Sequence, residues 1–196
     1  MKVYHSSHIK GLKKLEPKES THGEKWVYAT KDIPTSAMFI GKNYDLINQI
    51  GTWKGVPSIY ERFKGALKYA YKGQSGSIYV LDGKTFEEGK TSWSAEVIST
   101  QPVEVIEEIH IEDAYEYLQK LHNEGKIKIY EYPNTPRGGL ENKEDIIKRV
   151  VEWTKSADSP ILDDVRKFHS DVYEEICKRL EGKGIKVKIK DSSKIS

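Results

Sequence analysis

The chain has 196 residues, of which 37% are hydrophobic and 32% charged, a length between one large and two small domains and enough to bury a core. Four Trp, twelve Tyr and four Phe supply more bulky apolar surface than disordered chains carry, so the sequence reads as folded with a heavily solvated exterior. Lys plus Arg (32) nearly balances Asp plus Glu (30), which excludes a global field drawing the whole molecule to nucleic acid or acidic membranes.

The single cysteine, Cys177, can form no internal disulfide and leaves nothing for a cysteine-based zinc site; it reads as a small apolar filler on a helix. The first residues, MKVYHSSHIK, contain no apolar signal core, and no stretch approaches the ~18 apolar residues of a membrane span. The expectation is a cytoplasmic protein with no membrane partner.

In chain order, Lys2-Val3-Tyr4-His5 and Trp26-Val27-Tyr28-Ala29-Thr30 are β-branched and aromatic runs that predict two core strands separated by a loop. Asp32 or Thr35 can cap a short helix that has Pro34 in its first turn and continues through Ala37, Met38 and Phe39. Ile59, Phe63, Leu67 and Ala70 recur at three- and four-residue spacing up to Gly73, the pattern of an amphipathic helix. Ser77 to Leu81 predicts a buried strand with a turn at Asp82-Gly83, and Ser94 through Ile111 predicts β-rich chain broken near Gln101-Pro102.

From Glu112 the pattern becomes helical, with Tyr115, Leu118 and Leu121 on one face and Gly125 as the stop. After a turn-rich stretch over 133–139, two helical patterns follow. The second places Leu162, Val165, Phe168, Val172, Ile176 and Leu180 along one stripe after Ser159-Pro160. Lys183 to Lys190 alternates Ile185, Val187 and Ile189 with lysines, as an edge strand with a solvated face does.

Two chemical motifs fail on spacing. In DGKTFEEGKTS five residues separate the two glycines where a phosphate loop requires four. His5, His8 and His22 lack carboxylates nearby in sequence and make a poor metal set.

The tracts YHSSHIKGLKKLEP, KWVYATKDIPTSAMF and SAEVISTQPVEVI together resemble the ADP-ribosyltransferase superfamily over roughly residues 1–110. In that family one strand ends in a His followed by Gly and Ser or Thr, a later strand supplies a Tyr with a helix soon after it, and a third supplies a Glu. His5, Tyr28 and Glu96 match those places, with Ser6 standing where the family has Gly.

The resemblance implies an α+β fold in which two small, mainly antiparallel sheets form a cleft with His5 and Tyr28 near its floor. This lobe, residues 1–132, would carry a helical C-terminal region, 133–196, packed on it. It also implies NAD as substrate, with ADP-ribose passed to an unknown protein or nucleic-acid acceptor. His5 and Ser6 would hold the ribose and carboxamide, Tyr28 would stack on nicotinamide, and Glu96 and His5 would be the catalytic pair.

Glu104, Glu107 and Glu108 lie in the same β-rich region as Glu96, and a register change of one residue turns a side chain to the other face. Two further readings of the same resemblance are a catalytically inactive nucleotide- or protein-binding module, and an RNA 2′-phosphotransferase using Lys10, Lys13, Lys14 and Arg62.

Overall fold

The computed structural model describes residues 1–19, 23–134 and 139–187, with side chains of the last segment from 142 onward. Its strands are β1 (Lys2–Ser7), β2 (Lys14–Leu15), β3 (Lys18–Glu19), β4 (Lys25–Thr30), β5 (Asn48–Trp53), β6 (Val56–Glu61), β7 (Gly76–Asp82), β8 (Glu87–Glu88), β9 (Glu96–Ser99), β10 (Val103–Ile111) and β11 (Lys128–Tyr130). The helices are α1 (Ile33–Ala37), α2 (Ala66–Tyr71), α3 (Ala114–Asn123), α4 (Gly139–Trp153), α5 (Ile161–Phe168) and α6 (Ser170–Gly182). The fold class is α+β.

The sheets are unequal rather than a pair of small ones. Eight strands form the larger, in the order β2-β10-β7-β1-β4-β9-β8 with β3 on β4, and three form the smaller, β11-β6-β5. All pairings are antiparallel except β11 with β6. One face of the large sheet buries Val3, Val27, Ala29, Leu81 and Val97 together. The other face meets the small sheet and α1–α3 in a second core built on Met38, Ile59, Tyr71, Ile78 and Leu118.

Local chemistry accounts for the elements that frame the site. Asp32 accepts from the Thr35 amide at 2.7 Å and from its hydroxyl at 2.9 Å, so the side chain caps α1 while Pro34 occupies its first turn. Pro102 cannot donate to a ladder, and the chain breaks there between β9 and β10.

One predicted helix starts as a strand and is helical only in its second half. The spacing of Ile59, Phe63, Leu67 and Ala70 predicts a helix from Ile59, whereas Val56–Glu61 pairs with β5 over six residues and the helix is confined to Ala66–Tyr71. Lys54 (φ 49°) and Gly55 (φ 81°) both take the positive φ that a tight hairpin turn demands, and they fold β6 back onto β5. Gly65, at φ 81°, then delays the helix to Ala66.

The apolar stripe after Pro160 is likewise two helices. His169 breaks it at φ −140°, ψ 44°, and is buried with Nε2–H donating to the Leu46 carbonyl at 2.6 Å. Leu162, Val165, Val172, Ile176 and Leu180 pack with Ile146, Val150 and Leu46 in a third core. Phe168 leaves that stripe and stacks on Phe63, 4.8 Å between centroids. Cys177 is a buried free thiol on α6. Residues 185–187 are not in a strand, and Ile185 and Val187 pack on the helical core; the rest of the expected edge strand, most of the 133–139 turn and His22 fall outside the described residues.

Because Leu46, Arg62 and Phe63 depend on α4–α6 for their cover or partners, a protein ending at Tyr132 is expected to be insoluble or to lack cooperative unfolding. Expression of residues 1–132 followed by near-ultraviolet circular dichroism checks this; a soluble fragment with a sharp thermal transition would contradict it.

Candidate functional site

The eight-stranded sheet is split at its centre. β1 runs alongside β7 for six register pairs, yet meets β4 at one pair only, Tyr4 with Thr30. Beyond that point the two strands part. Into the opening goes the His5 ring, whose Nδ1–H donates to the Tyr28 carbonyl at 2.7 Å, replacing a ladder bond that the divergence leaves unmade.

A cleft of about 250 Å³ follows the split, lined on one side by His5 and Ser7 and on the other by Trp26 and Tyr28, with Lys14 and Lys18 among its walls. The Trp26 and Tyr28 rings lie 5.7 Å apart, tilted by 58°, as side chains two apart on one strand face do. Burial pushes the His5 imidazole below its ordinary pKa and Lys18 pushes the same way, against the opposing Tyr28 carbonyl. The ring is therefore neutral at pH 7, with Nδ1–H committed and Nε2 left as an acceptor for a hydroxyl donor.

Ser6 turns to the opposite side from His5. Its hydroxyl donates to the Ser36 carbonyl of α1 at 2.6 Å and lies 2.7 Å from Ser36 Oγ. This joins the end of β1 to α1 and spends the Ser6 side chain on the helix.

Glu96 begins β9, directly opposite Thr30 in the ladder, with Tyr28 opposite Ile98. Period-2 alternation puts Glu96 on the same sheet face as Thr30, Tyr28 and Tyr4, hence on the face opposite His5, and Glu96 is not among the residues that line the cleft. The residue is half-buried, and among the described residues no hydrogen bond or ion pair reaches its carboxylate. From β9 to β1 is two strand spacings, roughly 10 Å.

The other glutamates of the region lie elsewhere. Glu104, Glu107 and Glu108 are on β10, separated from β9 by β7, β1 and β4, roughly 19 Å across the sheet. Glu108 is also occupied: it accepts from the Gly11 amide at 3.0 Å, the Ser77 hydroxyl at 2.6 Å and the Tyr79 hydroxyl at 3.0 Å, which hold its carboxyl below the ordinary range.

Arg62 is turned away from the split toward α4. It is 2% exposed and donates to the Asp45 carbonyl (2.7 Å), Asn142 Oδ1 (2.7 Å) and Asp145 Oδ2 (2.6 Å). His8 is exposed against the Ser75 carbonyl at 3.0 Å, and among the described residues no cluster of His, Cys, Asp or Glu has the geometry of a metal site.

Four residues near the site were not anticipated: Ser36, Phe39, Thr52 and Trp93. The Trp93 ring lies 6.0 Å from that of Phe39 and its indole N–H donates to Thr52 Oγ1 of β5 at 2.9 Å. A tryptophan three residues before the Glu96 strand, in the otherwise polar run KTSWSAE, is the signal that could have found this contact.

A second buried imidazole, His169, is also held below its ordinary pKa, first by burial and then by Arg62, against the Leu46 carbonyl and Asp171. A depressed histidine stabilises the fold above the unfolded-state pKa of about 6.5, and that stability is lost as pH falls through the lower folded value. Stability against heat or urea is therefore expected to fall from pH 7 toward pH 5, with a slope approaching about 1.4 kcal/mol per pH unit for each such histidine. His169→Gln, which can keep a donor to Leu46 without titrating, should flatten the profile; an unchanged slope would contradict the assignment.

Comparison of the chain with protein-family models, curated proteins and solved structures gives no match. Among the described residues no helix is long and apolar enough to cross a membrane.

Proposed function

We propose that the protein binds NAD along the split between β1 and β4 and transfers its ADP-ribose to an acceptor. The observation that carries this reading is the single-pair contact of β1 with β4, spanned by a neutral His5 beside Trp26 and Tyr28, with a half-buried Glu96 on the adjoining strand β9.

The chemistry asks little else of the protein. The bond between the ribose C1′ and the nicotinamide nitrogen breaks with its electron pair leaving on the nicotinamide. An acceptor nucleophile then bonds to C1′ and gives up its proton. Positive charge builds on the ribose between these events, and a carboxylate with no competing cation stabilises it most effectively. Glu96 is suited to that task and to accepting a hydrogen bond from a ribose hydroxyl.

Nε2 of neutral His5 can accept from a second hydroxyl, and the Tyr28 ring offers a flat face to a planar heterocycle. A cleft of about 250 Å³ is slightly below the ~300–1,000 Å³ of most small-molecule sites. It accommodates one nucleoside, with the remainder of the dinucleotide lying along its open rim. The phosphotransferase alternative is less well supported, because its fourth cation, Arg62, is committed to α4.

Calorimetric titration of NAD into wild type and Tyr28→Ala tests the binding half. The expected result is saturable binding by wild type, weakened in the variant by about 1–3 kcal/mol if the ring stacks as aromatic side chains do on bases. Absence of binding by the wild type at millimolar NAD would remove the reading.

A further inference from the structure

We infer that Trp93 is a positioning residue for Glu96, anchored to the second sheet by Thr52; the inference rests on the reading of Glu96 given above. The loop entering β9 has little regular structure of its own, and the direction in which Glu96 leaves it is set by a few contacts centred on Trp93. The Trp93 carbonyl accepts the Glu96 amide at 3.0 Å and the Thr91 hydroxyl at 3.2 Å. Its own amide returns to Thr91 Oγ1 at 3.4 Å. The Trp93 peptide is thus the pivot from which the glutamate projects.

Two side-chain contacts fix the pivot. The indole N–H donates to Thr52 Oγ1 at 2.9 Å, tying the loop to β5, an edge strand of the small sheet. The ring also packs beside Phe39, 6.0 Å between centroids and tilted by 41°, just after α1. On the opposite flank the Lys31 amide, immediately beyond β4, donates to the Ala95 carbonyl at 3.1 Å. The start of β9 is therefore held from the large sheet by the Lys31–Ala95 backbone bond and from the small sheet by the Trp93 indole.

This arrangement separates binding from turnover. Trp93, Thr52 and Glu96 are all absent from the walls of the cleft at His5 and Tyr28, so loosening the contact that holds the start of β9 should leave ground-state binding of the dinucleotide intact. A carboxylate that acts on charge developing at C1′ depends on placement within a fraction of an ångström, and loses rate when its support is loosened.

The test uses the full chain with Thr52→Val, which removes the acceptor at equal bulk, Trp93→Phe, which removes the donor while keeping an aromatic ring, and Thr52→Ser, which restores an acceptor. Nicotinamide release should fall roughly five- to tenfold in kcat in either of the first two, in line with loss of one hydrogen bond, with KM for NAD unchanged. The double variant should be no worse than the worse single, since both changes delete one interaction, and Thr52→Ser should recover wild-type kcat. Amide hydrogen exchange at Glu96, whose N–H is bonded to the Trp93 carbonyl, should quicken in Thr52→Val.

Wild-type kcat in Thr52→Val, a rise in KM in place of the fall in kcat, or failure of Thr52→Ser to restore the rate would overturn the inference. If the wild type releases no nicotinamide, the reading of the site fails by itself and the exchange measurement decides the positioning: faster exchange at Glu96 supports it, and unchanged exchange overturns it.

Discussion

Replacing Arg62 with Met is expected to destabilise the protein by about 3 kcal/mol, the lower part of the range for removing one partner of a buried ion pair. The guanidinium joins three elements: the Asp45 carbonyl in the loop before β5, and Asn142 and Asp145 on α4. Burial, and to a lesser extent the nearby Arg149, pull Arg62 below its ordinary pKa, and Asp145 and Asp45 oppose that pull, holding the charge in place. Methionine fills comparable volume but leaves those three acceptors without their donor. The loss stays near the lower limit because Asp145 keeps Arg149 at 2.9 Å, and Arg149 also reaches Asp45 at 2.6 Å. Arg62→Lys should be almost as damaging, since a point-like ammonium cannot divide itself among three acceptors as a planar fork does. Urea denaturation is the measurement. Arg179→Ala, at a pair of solvent-exposed carboxylates, should by contrast shift the midpoint little; a midpoint for Arg62→Met equal to that of Arg179→Ala would contradict the role given to Arg62.

The elements legible in the sequence were those fixed by local chemistry. β1 and β4 follow from short β-branched and aromatic runs, α1 from Asp32 and Pro34, the β9–β10 break from Pro102, and α3 from Tyr115, Leu118 and Leu121 before Gly125. What was not legible is set by distant partners. Ile59 falls at helical spacing from Phe63 by coincidence, and only its pairing with Ile50 and Ile129 makes it a strand residue. His169 breaks a continuous apolar stripe because it finds the Leu46 carbonyl, 123 positions earlier in the chain.

The site divides in the same way. His5 and Tyr28 stand at the ends and middles of readable strands, and their proximity follows from one ladder pair. That the ladder stops after Tyr4 and Thr30 is written nowhere locally. Neither is the separation of Glu96 from the β10 glutamates, which depends on three strands lying between them. Trp93 and Thr52, 41 positions apart, meet only because the small sheet folds over the large one.

Changing Glu96 to Gln is the second substitution expected to have a large effect, and its effect should fall on rate. A neutral amide keeps the shape and a hydrogen-bonding oxygen but cannot balance positive charge on the ribose. Losing one preorganised electrostatic contact typically lowers kcat by about 10²–10³. Binding of the ground-state dinucleotide should change little, because the charge that Glu96 answers is absent until the bond to nicotinamide stretches. Glu107→Gln and Glu108→Gln, on β10, serve as controls for general carboxylate loss and should leave kcat within about twofold if they do not unfold the protein; only substitutions that remove transition-state contacts lower kcat selectively.

The most direct test of the account is nicotinamide release from NAD by the wild-type protein beside Glu96→Gln, both shown by circular dichroism to be folded. The account predicts measurable release by the wild type, a fall of about 10²-fold or more in kcat for the variant and near-equal NAD affinity for the two. No release by folded wild-type protein that binds NAD, or equal release by both proteins, would contradict it.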